Sequence, residues 1–323
     1  MKKALQSIWT AIDRFFFQTA YTPGALAFFR ISIALFALVQ MAAIYPDLLN
    51  IYGKFGFVRT EISQIVLDGF LPRVNWFSEW VAPWGIDERA SVHLLFWIHT
   101  VLAITLALGF MSRLSAALLW FVHLMFFNTA SIFAYGADYF LTISLFYCVL
   151  LPVGLNYSLD QRIWKRPIRL TAGAHFSIRV LQVHMCIVYF MAGFCKTLGH
   201  QWFNGEAIWR AVMLPYFKQF DMGFLADYGG ILMVLGWGVI VLEIAYPVFM
   251  SWKKTRFLWL IGTMAMHVGI AIFMGLYLFA AIMMILNTAA FGWPYLRDLL
   301  LKVQAFFGRK PWATTTAVQT ATS

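Results

Sequence analysis

The residues most costly to bury come first. A charge at mid-span in a membrane carries a penalty of at least ~2.5–3.5 kcal/mol on insertion scales, so it marks either a site or a partner. Three such charges stand in apolar runs of this 323-residue chain: Arg30 in Phe28-Phe29-Arg30-Ile31, Arg179, and Glu243 in Val241-Leu242-Glu243-Ile244. Arg30 either snorkels or meets a buried acceptor, and Glu243 is a candidate partner by charge alone. A structural ion pair and a functional role are both open to them. Lys196 closes another apolar stretch, Tyr189-Phe190-Met191-Ala192-Gly193-Phe194-Cys195-Lys196, and is followed by Trp202 and Gly205. A lysine at a helix end either snorkels, fully charged, or serves as a base. His93, His99, His123, His184 and His267 lie in or near apolar runs. Haem between facing helices is one reading of them and hydrogen-bonded packing the other; nothing repeats at a ligand-pair spacing. Cys148, Cys186 and Cys195 form no CxxC pair, so neither a metal site nor a disulfide framework is expected.

The elements that position these groups follow from composition. The chain is 62% hydrophobic and 12% charged, against about 45–50% and about 25% in soluble domains. Its apolar residues come in runs of roughly 18–25, the length that crosses a ~30 Å hydrocarbon layer. The expected fold is all-α: a polytopic integral membrane helical bundle of about eight transmembrane helices, with both termini cytoplasmic. Spans are expected at 24–44, 92–110, 114–133, 139–155, 176–198, 224–250, 257–275 and 276–293. The last two are readable as one broken helix, because only Met274-Gly275-Leu276 separates them.

Charge sets the orientation. Of 24 Lys and Arg residues, fifteen fall on the segments assigned inside (Lys2, Lys3 and Arg14; Arg113; four between 162 and 169; three between 253 and 256; four between 297 and 310), seven outside and two within spans. Ten of the fourteen acidic residues fall outside. The net charge of +10 therefore reads as topogenic and as attraction to lipid headgroups, not as a nucleic-acid footprint.

Three segments are expected: an amphipathic interfacial stretch at 1–22, a transmembrane domain at 23–293, and a cytoplasmic tail at 294–323 that is disordered from 309. The N-terminal stretch leads into an uncleaved anchor. Two outer connections, 46–89 and 199–223, are rich in aromatics and form either a headgroup belt or a cap over an outward-facing cavity.

The block from Tyr189 to Lys196, with Trp202 and Gly205, resembles the YFxAGxxK…W..G signature of vitamin K-dependent γ-glutamyl carboxylases and of their bacterial relatives, the horizontally transferred transmembrane (HTTM) domain family. Other stretches agree in order. Pro23 with Leu26-Ala27-Phe28-Phe29-Arg30 resembles the first-helix motif, and Gly109-Phe110-Met111-Ser112-Arg113 the second inner turn. Tyr135-Gly136-Ala137-Asp138 resembles a Gly-Asp turn, and Met266-His267 through Gly275 the late His-containing helix. The likeness runs over residues 23–287.

The resemblance implies that Lys196 is the base that deprotonates a reduced vitamin K or menaquinol-type quinone. Oxygen then adds, and the resulting alkoxide removes a γ-proton from glutamate as the quinone becomes an epoxide, with CO2 as co-substrate. Such a lysine must be neutral, and desolvation at the end of an apolar helix favours the neutral amine. Lysine, unlike arginine, can respond in that way. His267 and Asp138 are implied as further catalytic residues, with Tyr189, Trp202, Arg30 and Glu243 as quinone-binding candidates. Asp138 stands where the carboxylases have a functional histidine, and Cys195 where they usually have another lysine. The animal enzymes also carry a large lumenal portion that helps hold the protein substrate, so the implied partners are a peptide substrate or a separately encoded soluble subunit, at the inner or plasma membrane. A non-catalytic multi-pass protein in peptide-toxin maturation, immunity or transport is the alternative; no convincing inverted repeat supports a transporter.

Overall fold

The computed structural model describes residues 2–17, 24–57, 70–168, 171–217 and 219–308. Expectations resting on 18–22, Pro23, Arg59, Glu61, Asp68, Arg169, Lys218 and the tail from 309 lie outside those residues. Every regular element among the described residues is helical. In chain order they are α1 Lys2–Phe17, α2 Ala25–Ile44, α3 Val74–Val81, α4 Glu88–Leu108, α5 Ser112–Thr129, α6 Gly136–Leu150, α7 Leu159–Ile163, α8 Ala172–Thr197, α9 His200–Phe203 and α10 Glu206–Met213. The series closes with α11 Gly229–Ile244, α12 Tyr246–Ser251, α13 Lys253–Met274, α14 Tyr277–Asn287 and α15 Trp293–Phe306. α2 continues through a tight turn, Tyr45–Asp47, into a short helix, Leu48–Tyr52.

Six helical stretches among the described residues are long and apolar enough to cross a membrane: Ala25–Tyr52, Glu88–Leu108, Ala172–Thr197, Gly223–Ile244, Lys253–Met274 and Tyr277–Phe306. The other two expected spans form helices that fall short by this measure. α5 carries Arg113, His123 and Asn128 among its 18 residues. α6 has 15 residues, a rise of about 22 Å against a ~30 Å layer. The last two spans are separate helices, because α13 ends at Gly275 in the left-handed region, φ +67°. The final helical stretch runs on past residue 293 to Phe306, with Pro294 in the first turn of α15. The spans carry apolar side chains on their surfaces: Leu258 and Val234 are 71% and 63% exposed, as suits a lipid solvent.

The described residues fall into two compact units, one from Met1–Ala25 and His175–Thr316, the other from Leu26–Ala174. In the second unit, Met41, Leu48, Val92, Leu95 and Phe126 form the core, and α3 adds Val74, Phe77 and Val81 to it. One face of the expected outer segment is thereby core, while Trp80 and Trp84 stay exposed and pack edge to face.

Arg30 organises the other end of this unit. Its guanidinium is wholly buried and donates to the carbonyls of Val153 and Tyr157, both at 2.7 Å. Gly109, at φ +72°, closes α4 against it; a Cβ there would stand 2.9 Å from the Arg30 Cζ and 2.5 Å from the Ser158 Cβ. Asp160 then caps α5, accepting from the backbone of Met111 and Ser112 and from the Ser112 hydroxyl at 2.8–2.9 Å. The first-helix motif and the second inner turn, far apart in sequence, are thus parts of one latch.

In the first unit, Arg179 fastens α1 to α8. Its Nε donates to the Phe15 carbonyl at 3.0 Å, its guanidinium lies 4.4 Å from the Phe15 ring, and its Nη1 reaches Gln182, whose amide in turn donates to the Ala290 carbonyl.

Candidate functional site

α8 presents Tyr189, Gly193 and Lys196 at i, i+4 and i+7, one stripe of the helix. Gly193 is the point of closest approach to α11: a Cβ there would stand 2.8 Å from the Ile244 backbone nitrogen and 2.9 Å from the Glu243 Cβ. Only glycine lets the two backbones meet so closely. One turn further along α8, that approach brings Lys196 Nζ to 2.7 Å from Glu243 Oε2.

The pair is largely covered, with side-chain exposures of 20% for Lys196 and 8% for Glu243. The ammonium also lies 5.0 Å from the centre of the Trp202 ring, a cation–π contact. Trp202 is held there by α9, which presses on α11 where Gly236 faces the Trp202 carbonyl, and where Trp237 Nε1 donates to the Phe203 carbonyl at 3.0 Å. The structure gives the Lys196 amine a carboxylate partner. It also settles the partner of Glu243: Lys196, and not Arg30, which spends its charge on loop carbonyls.

Seven residues before Lys196 on α8, Tyr189 joins His267 of α13, Tyr246 of α12 and Asn287 of α14 in a sealed cluster; His267 is 2% exposed and Asn287 fully buried. Its proton positions follow from one fixed acceptor. The Met283 carbonyl can only accept, so the Asn287 NH2 faces it at 2.8 Å and also donates to the Tyr189 oxygen at 2.7 Å. The Asn287 carbonyl oxygen must then accept from the Tyr246 hydroxyl at 2.6 Å. Tyr189, already accepting, sends its own proton to His267 Nε2 at 2.6 Å. The neutral imidazole therefore carries its hydrogen on Nδ1, which has no hydrogen-bond partner. The Tyr189 and Tyr246 rings stack at 4.1 Å and 17° over this network.

Sequence reasoning placed Tyr189 and His267 but missed Tyr246 and Asn287. The signal for Asn287 was available: an amide at the end of Met283-Met284-Ile285-Leu286 is as conspicuous within a span as a charge.

Asp138 belongs to the other unit. It sits in the first turn of α6, accepting from the Tyr135 backbone at 2.9 Å in a capping box and from the Gln40 amide. Among the described residues no group of three His, Cys, Asp or Glu side chains is disposed to hold a metal ion. The site thus consists of an ion pair beside an indole, above a locked tyrosine–histidine–asparagine cluster.

A family model described as the HTTM domain matches residues 21–293 of the chain. Comparison with curated proteins and with solved structures brings no match.

Proposed function

This chain belongs to the HTTM domain family, and we propose from that premise that its Lys196–Glu243 pair takes a proton from a membrane quinol. The chain is a multi-pass membrane protein by its family and its apolar helices. The observation that carries the proposal is the 2.7 Å ion pair beside Trp202, within the block whose likeness to the carboxylases is most specific.

The residues suit a flat phenolic ligand. Lys196 keeps a fifth of its side-chain surface open, the Trp202 indole offers a stacking face, and Phe190 and Phe194 stay 41% and 46% exposed on the same helix. A reduced vitamin K or menaquinol-type quinone would supply the oxygen chemistry, consuming O2 and ending as an epoxide, and in the carboxylases this drives replacement of a glutamate γ-proton by CO2.

The chain's own part is proton handling. Lys196 Nζ passes a proton along its hydrogen bond to Glu243 Oε2 and takes one from the phenolic hydroxyl. The pair ends one proton richer, with the ammonium in place to hold negative charge nearby. A carboxylate neighbour thus makes the amine available as a base without a lasting neutral lysine. Tyr189 and His267 are too sealed to meet a ligand, so they act as positioning residues that fix the stripe of α8 carrying Lys196. Arg30 is given no ligand contact. On the charge-derived orientation, Lys196 faces the non-cytoplasmic side of the inner or plasma membrane, where a peptide substrate or a separate soluble subunit would meet it.

The test is turnover in lipid nanodiscs with reduced menaquinone or vitamin K, with epoxide read by mass spectrometry. Lys196→Ala is expected to lower turnover by about 100-fold or more while eluting as a folded monodisperse protein. Wild-type turnover in that variant, or no epoxide from the wild type with either quinol, would overturn the reading. A second reading, in which the pair only packs α8 against α11, is favoured by the close approach at Gly193, and it predicts unchanged function when both charges are removed together.

A further inference from the structure

The unit of Leu26–Ala174 contains a small cavity of about 20 Å³ that the Lys196 chemistry does not use. Its walls carry an unusual density of polar groups for such a volume. They include Tyr52 from the end of the first span, His99 from α4, His123 from α5, and Asp138 from α6, with Gln40 of α2 beside it. These four are the titratable groups that face it.

Their hydrogen bonding is incomplete. His99 is 1% exposed and neither of its ring nitrogens has a partner; His123 is 6% exposed and its Nε2 has none. The two rings lie 6.0 Å apart, centre to centre. Buried polar groups in native proteins are satisfied by protein, water or an ion. An imidazole needs one donor and one acceptor when neutral, and one water supplies two of each.

The size of the cavity decides the ligand. One water needs roughly 10–15 Å³ of such space, so about 20 Å³ holds one and has no room for a porphyrin. Haem ligation by this histidine pair is thereby excluded. A metal ion finds too few ligands, because no third His, Cys, Asp or Glu joins the two imidazoles at coordinating distance among the described residues.

We propose that this cavity binds a single water molecule that joins His99 and His123 to the Asp138 side of the cavity, forming a water-linked proton-exchange site. The exchange is proton transfer alone. The Asp138 carboxyl, when protonated, gives its proton to the water oxygen while the water gives one of its own to a pyridine-type ring nitrogen, leaving a carboxylate and an imidazolium; the reverse transfer restores both neutral groups, and nothing is oxidised or reduced. Asp138 is suited to the end of such a chain. Its carboxylate is held in place by the Tyr135 backbone and the Gln40 amide, and both of these donors are neutral. The site owes nothing to the quinol reading, since it lies in the other unit.

The test uses the full chain in lipid bilayers with 15N-labelled histidine. Proton–nitrogen correlation by magic-angle-spinning NMR is expected to show cross-peaks from the His99 ring nitrogens to a long-lived water, and metal analysis is expected to find no stoichiometric metal. Ala37→Leu, which adds bulk to the cavity wall, is expected to remove the His99 cross-peaks while other histidine signals persist. Asp138→Asn is expected to slow exchange of the His99 ring proton with D2O at least several-fold. His99 nitrogens without water contact in the wild type, or one equivalent of bound zinc, copper or iron, would overturn the proposal, as would exchange unchanged in Asp138→Asn.

Discussion

Removing Lys196 and Glu243 singly and together separates a working ion pair from a packing contact, and the structure sets the magnitudes. Glu243 keeps only 8% of its side-chain surface, so Lys196→Met strands a nearly buried carboxylate. Breaking a buried pair by deleting one partner costs about 3–5 kcal/mol. The 20% exposure of Lys196 already screens the pair, which lowers the expected cost to about 2–4 kcal/mol. Glu243→Leu is milder, at about 1–2 kcal/mol, because a freed lysine can turn its ammonium outward. The double variant, with two apolar side chains of similar volume in place, should fall within about 1 kcal/mol of wild type. The coupling energy is then at least ~2 kcal/mol. Unfolding in mixed micelles, followed by tryptophan emission, measures all four proteins. Single effects that simply add in the double variant would refute the pairing. If the double variant is stable yet makes no epoxide, the pair serves chemistry; if it is stable and retains the chain's function in the host, the pair is architecture.

Other expectations are as specific. Tyr189→Phe removes the donor to His267 and the acceptor for one Asn287 N–H; at about 0.6 and at most ~1.7 kcal/mol per hydrogen bond inside membranes, it should cost about 1–3 kcal/mol in the same unfolding assay, with a matching change in the His267 ring 15N signals. Gly109→Ala places a Cβ against Arg30 and Ser158 at a φ of +72°, so it should cost upwards of about 2 kcal/mol, and more than Gly85→Ala, where φ is also positive but the space is open. Burial alone would raise the Asp160 carboxyl, yet hydrogen bonds from Ser112 and Met111, aided by the charge of Arg30, hold it below the usual carboxylate value. Its contribution to stability is therefore complete above the ordinary carboxylate range near about 4 and is lost as pH falls through the lowered native value. Asp160→Asn should flatten the acid limb of a stability-against-pH curve, and an unchanged limb would count against the cap.

What the sequence determined by itself is whatever local chemistry can carry. Hydrophobic runs made the all-helical membrane architecture legible, because the bilayer leaves a backbone no other way to satisfy its polar groups. The block from Tyr189 to Lys196 was legible as a motif. Lys196 and Glu243 stood out because charges are rare at those depths. Their mutual pairing was not legible, and the more visible match of Arg30 with Glu243 was the wrong one. Charge patterns name the groups that need partners, while the close approach at Gly193 decides which helices supply them. The same holds for Arg30, whose acceptors are loop carbonyls invisible to any charge count, and for Asn287 and Tyr246, which lie 41 residues apart and complete a network with Tyr189, 98 residues before Asn287. The two weaker spans show the same division: α5 keeps His123 and Asn128 because neighbouring elements bury them, and carries Arg113 exposed in its first turn. Tertiary structure decided these points, since a hydrogen bond or ion pair depends on distances of a few ångströms that only packing sets.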